Sequence, residues 1–185
     1  MTELERIAGL IEKRNQIDTE ISKIIGRPAT RGHLGEFIAS KVFKIRLESS
    51  ATAKGIDGVF QEDSLKGKTV NIKLYGKQEG ILDIAVHELA DYYLVLTGPK
   101  TAPTTSRGSS RPLVISNVYL FEMRELVDKL RKRAVKIGIA TSVAQSYWKE
   151  AEIYPHATNK KLELTKDKVR LLQLFSSSSR AHIFK

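Results

Sequence analysis

Gly55-Ile56-Asp57-Gly58-Val59-Phe60 and, beyond a polar turn closed by Gly67-Lys68, Thr69-Val70-Asn71-Ile72-Lys73-Leu74-Tyr75 are the stretch from which this chain is best read. Each is a short apolar run bounded by turn-forming residues, the pattern of a strand, and consecutive strands on so short a link pair antiparallel. Side chains alternate across a strand, so Val70, Ile72 and Leu74 take one face of the second run and Asn71, Lys73 and Tyr75 the other. If the Asp57 strand pairs with this one, a carboxylate, an amide oxygen and an ammonium converge on one face.

Those groups are the parts that hydrolysis of a phosphodiester requires. Oxygen ligands hold Mg²⁺, which polarises the phosphoryl group and acidifies a water, while a lysine orients or deprotonates that water and offsets developing charge. The glycines flanking Asp57 would let a phosphate backbone approach closely.

Working outward, Thr2 caps a helix whose first turn is acidic, with Leu4, Ile7, Leu10, Ile11, Ile17, Ile21, Ile24 and Ile25 near helical spacing until Gly26 and Pro28 end it. Its apolar stripe covers either this chain's core or the same helix of a second copy, which makes a homodimer one expectation. A Gly-rich bend, residues 27–35, leads to a second helix with Glu36 in its first turn. A strand near Arg46–Glu48 precedes the Asp57 strand. Ile81–Leu89 reads as a helix and Tyr92–Leu96 as a fully buried, mid-sheet strand. Residues 98–112, with Lys100, Arg107 and Arg111 among Pro, Thr, Ser and Gly, suit a basic surface loop. There follow a strand at Leu113–Phe121, a helix at Glu122–Ala134, strands near Lys136–Ala140 and Tyr147–Ile153, a helix at Thr165–Phe175, and a serine-rich tail. The expected organisation is one domain over 1–185: helix 1–26, core 31–96, loop 97–112, remaining sheet and helices 113–175, tail 176–185.

The 185 residues carry 31 Lys and Arg against 21 Asp and Glu, a formal net charge of +10, which attracts polyanions. There is no cysteine, so disulfides, thiolate zinc sites and cysteine nucleophiles are excluded. His33 reads as a capping or surface residue, and the four histidines show no ligand spacing. No run approaches a membrane span, and the acidic N-terminus is unlike a signal peptide, so a cytoplasmic protein is expected. No Walker A sequence, G-x-G-x-x-G or G-x-S-x-G is present, and no organic cofactor is implied.

The order of elements over Arg31–Leu96 resembles the PD-(D/E)XK superfamily, the restriction-endonuclease-like fold: a helix bearing an acid, a three-stranded meander bearing the Asp and the (D/E)XK element, a helix and a further strand. The segments Ser106-Arg107-Gly108 and Ala151-Glu152-Ile153-Tyr154-Pro155 are similar to those of small uncharacterised proteins of this type. The resemblance implies an α/β fold with a mixed central sheet flanked by helices, here behind a long N-terminal helix. It further implies an Mg²⁺-dependent (or Mn²⁺-dependent) DNA endonuclease, of the type II restriction kind and dimeric. Asp57 matches the metal-binding Asp, Lys73 the motif lysine and Glu36 the helix acid. The chain departs from the pattern at Asn71, where the family has an acid, and at Ile56, where it has Pro. An amide oxygen ligates Mg²⁺ without adding charge, so a further acid is needed, with Glu36 first and Glu48 or Glu79 behind it.

Tyr75, Lys77, Lys100, Arg107 and Arg111 are the expected nucleic-acid contacts, and Lys129, Arg131, Lys132 and Arg133 either join them or form a solvated helix face. Structural roles stand beside each functional one: Asp57 as a turn-former, Lys73 as a solvated strand lysine, Glu36 as a helix N-terminal acid, and Tyr147, Trp148 and Tyr154 as core rather than base-stacking groups. The alternative function is a non-catalytic nucleic-acid-binding protein that keeps the nuclease fold.

Overall fold

Thr2 and Glu5 form a reciprocal capping box, Glu5 N donating to Thr2 Oγ1 (3.2 Å) and Thr2 N to Glu5 Oε2 (2.6 Å), and start helix α1 (Glu3–Ile25). Gly26 ends it in the left-handed region (φ 70°). In the computed structural model, which describes residues 1–48, 55–85, 89–100 and 112–176, α1 leads into α2 (Arg31–Phe43), β1 (Ile45–Leu47), β2 (Gly58–Phe60), a 3-10 turn (Asp63–Leu65), β3 (Thr69–Tyr75), β4 (Ile81–Leu82) and β5 (Tyr92–Thr97). Then come β6 (Asn117–Glu122), α3 (Met123–Lys132), β7 (Thr141–Ser142), α4 (Gln145–Ala151), β8 (Glu152–Tyr154) and α5 (Lys166–Gln173).

Six strands form a mixed sheet in the order β1-β2-β3-β5-β6-β8, with β3 and β5 parallel and every other pair antiparallel. The expected meander of β1, β2 and β3 is present, and β5 lies mid-sheet with every residue buried. One sheet face, with Val70, Ile72, Leu74, Leu94 and Leu120, packs on α2 and on Leu172 of α5. The other, with Tyr93, Val95, Tyr119 and Phe121, packs on Met123, Leu126 and Leu130 of α3 and Trp148 of α4. The result is an α/β fold with apolar clusters on both faces of one sheet, and β4 pairs with β7 in a small separate ribbon.

Asp91 fastens the parallel pair at its start. Its Oδ2 accepts from both Thr69 N and Thr69 Oγ1 at 2.9 Å, and its own N–H donates to Thr69 Oγ1 at 2.8 Å. Burial would raise the Asp91 carboxyl, but the two bonds from Thr69, helped by Lys68 and Arg124, outweigh it and hold the group below its ordinary value.

Several expected elements differ. Helix α2 begins at Arg31, where Thr30 caps it by accepting from His33 N, so Glu36 stands in its second turn and the macrodipole does not account for it. His33 folds back with Nδ1 2.8 Å from Pro28 O, a capping role. Ile81–Leu89 does not open as a helix: Gly80 (φ 79°) turns the chain into the two-residue β4. Residues 136 and 137 are irregular and 138–140 form a bend and turn, with a strand only at Thr141–Ser142. The run expected as a strand at Tyr147–Ile153 is mostly α4, because Trp148 packs edge-on against Tyr119 and Phe121, and only its end becomes β8. Arg107, Arg111 and the tail beyond Ser176 lie outside the described residues. Among the described residues no helix is long and apolar enough to cross a membrane.

Candidate functional site

Gly55 takes a left-handed conformation (φ 93°) and turns the chain into β2. Asp57 then continues that strand by one residue: its N–H donates to Val70 O and its carbonyl accepts from Glu48 N, both at 2.9 Å. Gly58 is not open to a ligand as its composition suggested. A Cβ there would lie 2.5 Å from Arg46 O, so the residue is glycine to let β1 close on β2.

Asp57 Oδ2 accepts from Ile72 N (2.6 Å), which fixes the carboxylate against the middle of β3. Asn71, 4 % exposed, donates through Nδ2 to Gly55 O (3.1 Å), and that bond settles which amide atom is which. Asn71 Oδ1 is then a buried oxygen with no donor among the described residues. Such an orphan costs about 1–3 kcal/mol unless something occupies it. Lys73 lies two residues on, half-buried, with Nζ 5.8 Å from the centre of the Tyr93 ring and in no ion pair among the described residues.

Glu36 approaches from α2, which packs on the other face of the sheet, near enough for its charge to act on Asp57. Gly35 beside it lets the helix lie close on β3, where a Cβ would sit 2.7 Å from Leu74 Cβ. Burial raises the Asp57 carboxyl; the Ile72 N–H opposes this, Glu36's charge raises it further, and Lys73 and Arg27 pull it down. Asp57, Glu36, Lys73 and Arg27 are thus electrostatic neighbours, with the net balance against an ionised Asp57. Arg27 hydrogen-bonds Glu36 Oε2 through Nη1 and neutralises part of that field.

A hard cation fits this donor set: the orphaned Asn71 oxygen, the Asp57 oxygen left over from Ile72 N, and a Glu36 that would exchange Arg27 for the ion. Among the described residues no three His, Asp or Glu side chains cluster as a metal group, so the set is two acids and an amide. The second-choice acids are engaged elsewhere, Glu48 with Arg46 (3.8 Å) and Glu79 with Lys77 (2.6 Å).

The expected nucleic-acid contacts divide. Tyr75 points into the fold, its hydroxyl bonded to Asp83 Oδ2 (3.2 Å) and Asp83 N (3.1 Å), and burial raises its pKa. Lys77 is held by Glu79 and largely buried, whereas Lys100 is exposed. Lys129 stands between Glu125 (2.8 Å) and Glu150 (2.9 Å), which push its pKa up to about 12, while Arg131, Lys132 and Arg133 are exposed. Sequence reasoning missed Arg27 and Tyr93. Nothing local marks Arg27, nine residues before its partner across a turn, and Tyr93 comes under Lys73 only through the parallel β3–β5 register. In comparisons with known proteins, no family model matches this chain and no curated protein matches it significantly.

Proposed function

We propose that this chain is a metal-dependent DNA endonuclease with a restriction-endonuclease-like core, acting in the cytoplasm and resembling the type II restriction enzymes. The observation that carries the reading is the meeting of Asp57, the unsatisfied Asn71 oxygen and unpaired Lys73 across β2–β3, with Glu36 close enough for its charge to act on Asp57. Asp57, Asn71 and Glu36 hold Mg²⁺, with Mn²⁺ as substitute. When bound, the ion supplies Lewis-acid activation of the phosphate and of a water. Lys73 orients the attacking water and offsets charge growing on the phosphate, and Arg27, once released from Glu36, is free to take a phosphate oxygen.

The chain acts as a homodimer, since cutting two strands takes two sites. The unclad apolar stripe of α1 supports this: Leu4 and Ile24 are 81 % and 72 % exposed, and no residue of the helix is buried.

Incubation of plasmid and linear DNA with Mg²⁺ or Mn²⁺ tests the reading. Wild type cuts; Asp57→Ala abolishes cutting; Lys73→Ala lowers the rate about 10²–10³-fold, the usual cost of one charge-stabilising group. A second reading, DNA binding without cleavage, is favoured by the Arg27–Glu36 pair and the missing second acid. It replaces the first if neither metal supports cutting while wild type and both variants bind DNA equally.

A further inference from the structure

The register of the sheet links the Asp57 site to a second feature on the same face. Lys73 opposes Val95, Val95 opposes Tyr119, and Tyr119 opposes Glu152, one rung across β3, β5, β6 and β8. Directly opposed side chains share a face, and three strand spacings of roughly 4.8 Å put Glu152 about 14 Å from Lys73. Here the sheet, α4 and the start of the segment after β8 enclose a cavity of about 440 Å³. That is ample for a nucleotide.

The lining is chemically uneven. At the floor, Glu152 is buried and accepts from Asn117 Nδ2 through Oε1 (2.8 Å), while Oε2 has no hydrogen bond among the described residues. Trp148, 2 % exposed, lines the wall, its indole N–H shielded from solvent and without an acceptor among the described residues. At the rim, Lys100, Lys149 and His156 are all exposed. Burial, then the Glu152 charge, pushes the intervening Tyr119 hydroxyl up to about 12, so it stays a neutral donor or acceptor. A free carboxylate oxygen at the bottom, under a cationic mouth, complements a base with an exocyclic amine, attached to a phosphate. The cavity formed by Glu122, Glu125, Glu150, Lys129 and Lys161 differs, because there the acids and lysines neutralise one another.

We propose that this cavity binds an amine-bearing nucleotide, with the exocyclic amine of the base on Glu152 and the phosphate on Lys149 and Lys100. The proposal rests on the nuclease reading in one respect: the bound unit is taken to belong to the nucleic acid that the Asp57 site cuts.

Trp148 is the only tryptophan, so its emission reports on the cavity directly. Wild type, Lys149→Ala, Glu152→Gln and Lys73→Ala would be titrated in EDTA with short oligo(dC), oligo(dT) and dCMP, following Trp148 fluorescence and, for labelled oligomers, anisotropy. Oligo(dC) should change the emission saturably and bind about tenfold tighter than oligo(dT). Glu152→Gln, which keeps the Asn117 bond but turns the free oxygen into a donor, should erase or reverse that preference. Lys149→Ala should weaken both oligomers several-fold, and Lys73→Ala should retain the preference. A response to dCMP equal to that of oligo(dC) would mean a free nucleotide suffices and would overturn the assignment to a strand. No change in emission with any probe, or equal affinity for dC and dT in wild type, overturns the cavity assignment. Cleavage intact with silent Trp148 fluorescence sinks this proposal alone; dC-selective binding without cleavage sinks the nuclease reading alone.

Discussion

Two aspartates of this sheet have environments of opposite sign. Thr69 holds Asp91 below the ordinary carboxylate value, so ionised Asp91 stabilises the fold, and that contribution is lost as pH falls through its lowered pKa. Asp57 is raised, chiefly by burial and then by Glu36. As pH rises past the ordinary value, the unfolded chain releases this proton first and the folded chain still holds it. Stability therefore falls through the window between the ordinary and raised values, and the deficit persists at neutral pH. Asn at position 57 can still accept from Ile72 N and carries no charge. Asp57→Asn should accordingly raise the metal-free Tm at neutral pH and remove the share of the pH slope that Asp57 contributes, leaving that of Asp91. Mg²⁺ should raise the Tm of wild type and leave Asp57→Asn unmoved. Calorimetry across pH 4–8 checks this; a variant less stable than wild type would make Asp57 a turn-former and no more.

Helix α1 sets a different question, since about 35 Å of helix stands on the fold without a buried residue. Ile7, Leu10, Ile17, Ile21 and Ile24 follow the alternating three-four spacing of a coiled-coil seam, with Arg14 at its one polar position. A parallel pair would set Arg14 against its own copy. An antiparallel pair instead places Ile7 on Ile24, Leu10 on Ile21 and Arg14 on Ile17, leaves Arg14 its Asp18 partner (3.5 Å), and brings Lys13 to Glu20 of the other copy. Leu10→Glu with Ile17→Glu should halve the mass measured by light scattering, yet change the monomer's unfolding free energy by no more than ~0.5 kcal/mol, because neither residue is buried. Arg14→Leu should tighten the dimer; a monomeric wild type would remove the role given to α1. This helix was legible in the sequence because its capping box, period and terminal glycine are all local. So were the strands carrying Asp57, Asn71 and Lys73, where alternation alone places Asn71 and Lys73 on one face. The α4–β8 segment was not, since seven residues cannot show a helical period and its conformation is set by Trp148 meeting Tyr119 and Phe121 from another part of the chain. Arg27 was hidden for the same reason: its ion pair is made by tertiary approach.

For the molecule as a whole, the net charge of +10 does not by itself say which cations a polyanion would meet. Lys129 and Lys161 are spent on Glu122, Glu125 and Glu150, and Lys168 is buried against Asp63. The exposed excess at the end of α3, Arg131-Lys132-Arg133, matters by position, because α3 packs on the sheet face that bears Asn71, Lys73 and the Trp148 cavity. DNA passing over the outside of α3 would reach these side chains, whereas charge serving solubility alone would not care which side of the molecule it occupied. Each phosphate neutralised releases counterions, so log affinity should fall linearly with log salt, by about 0.9 for each contact made. Arg131→Gln with Lys132→Gln should then lower the slope by about two and weaken all sequences alike, leaving the oligo(dC) preference and the cleavage chemistry intact. Lys41→Gln, on α2 at the opposite face and exposed, is the control and should leave the slope unchanged. Fluorescence anisotropy over a salt series separates the two: equal slopes in wild type and the α3 variant would move the DNA off α3.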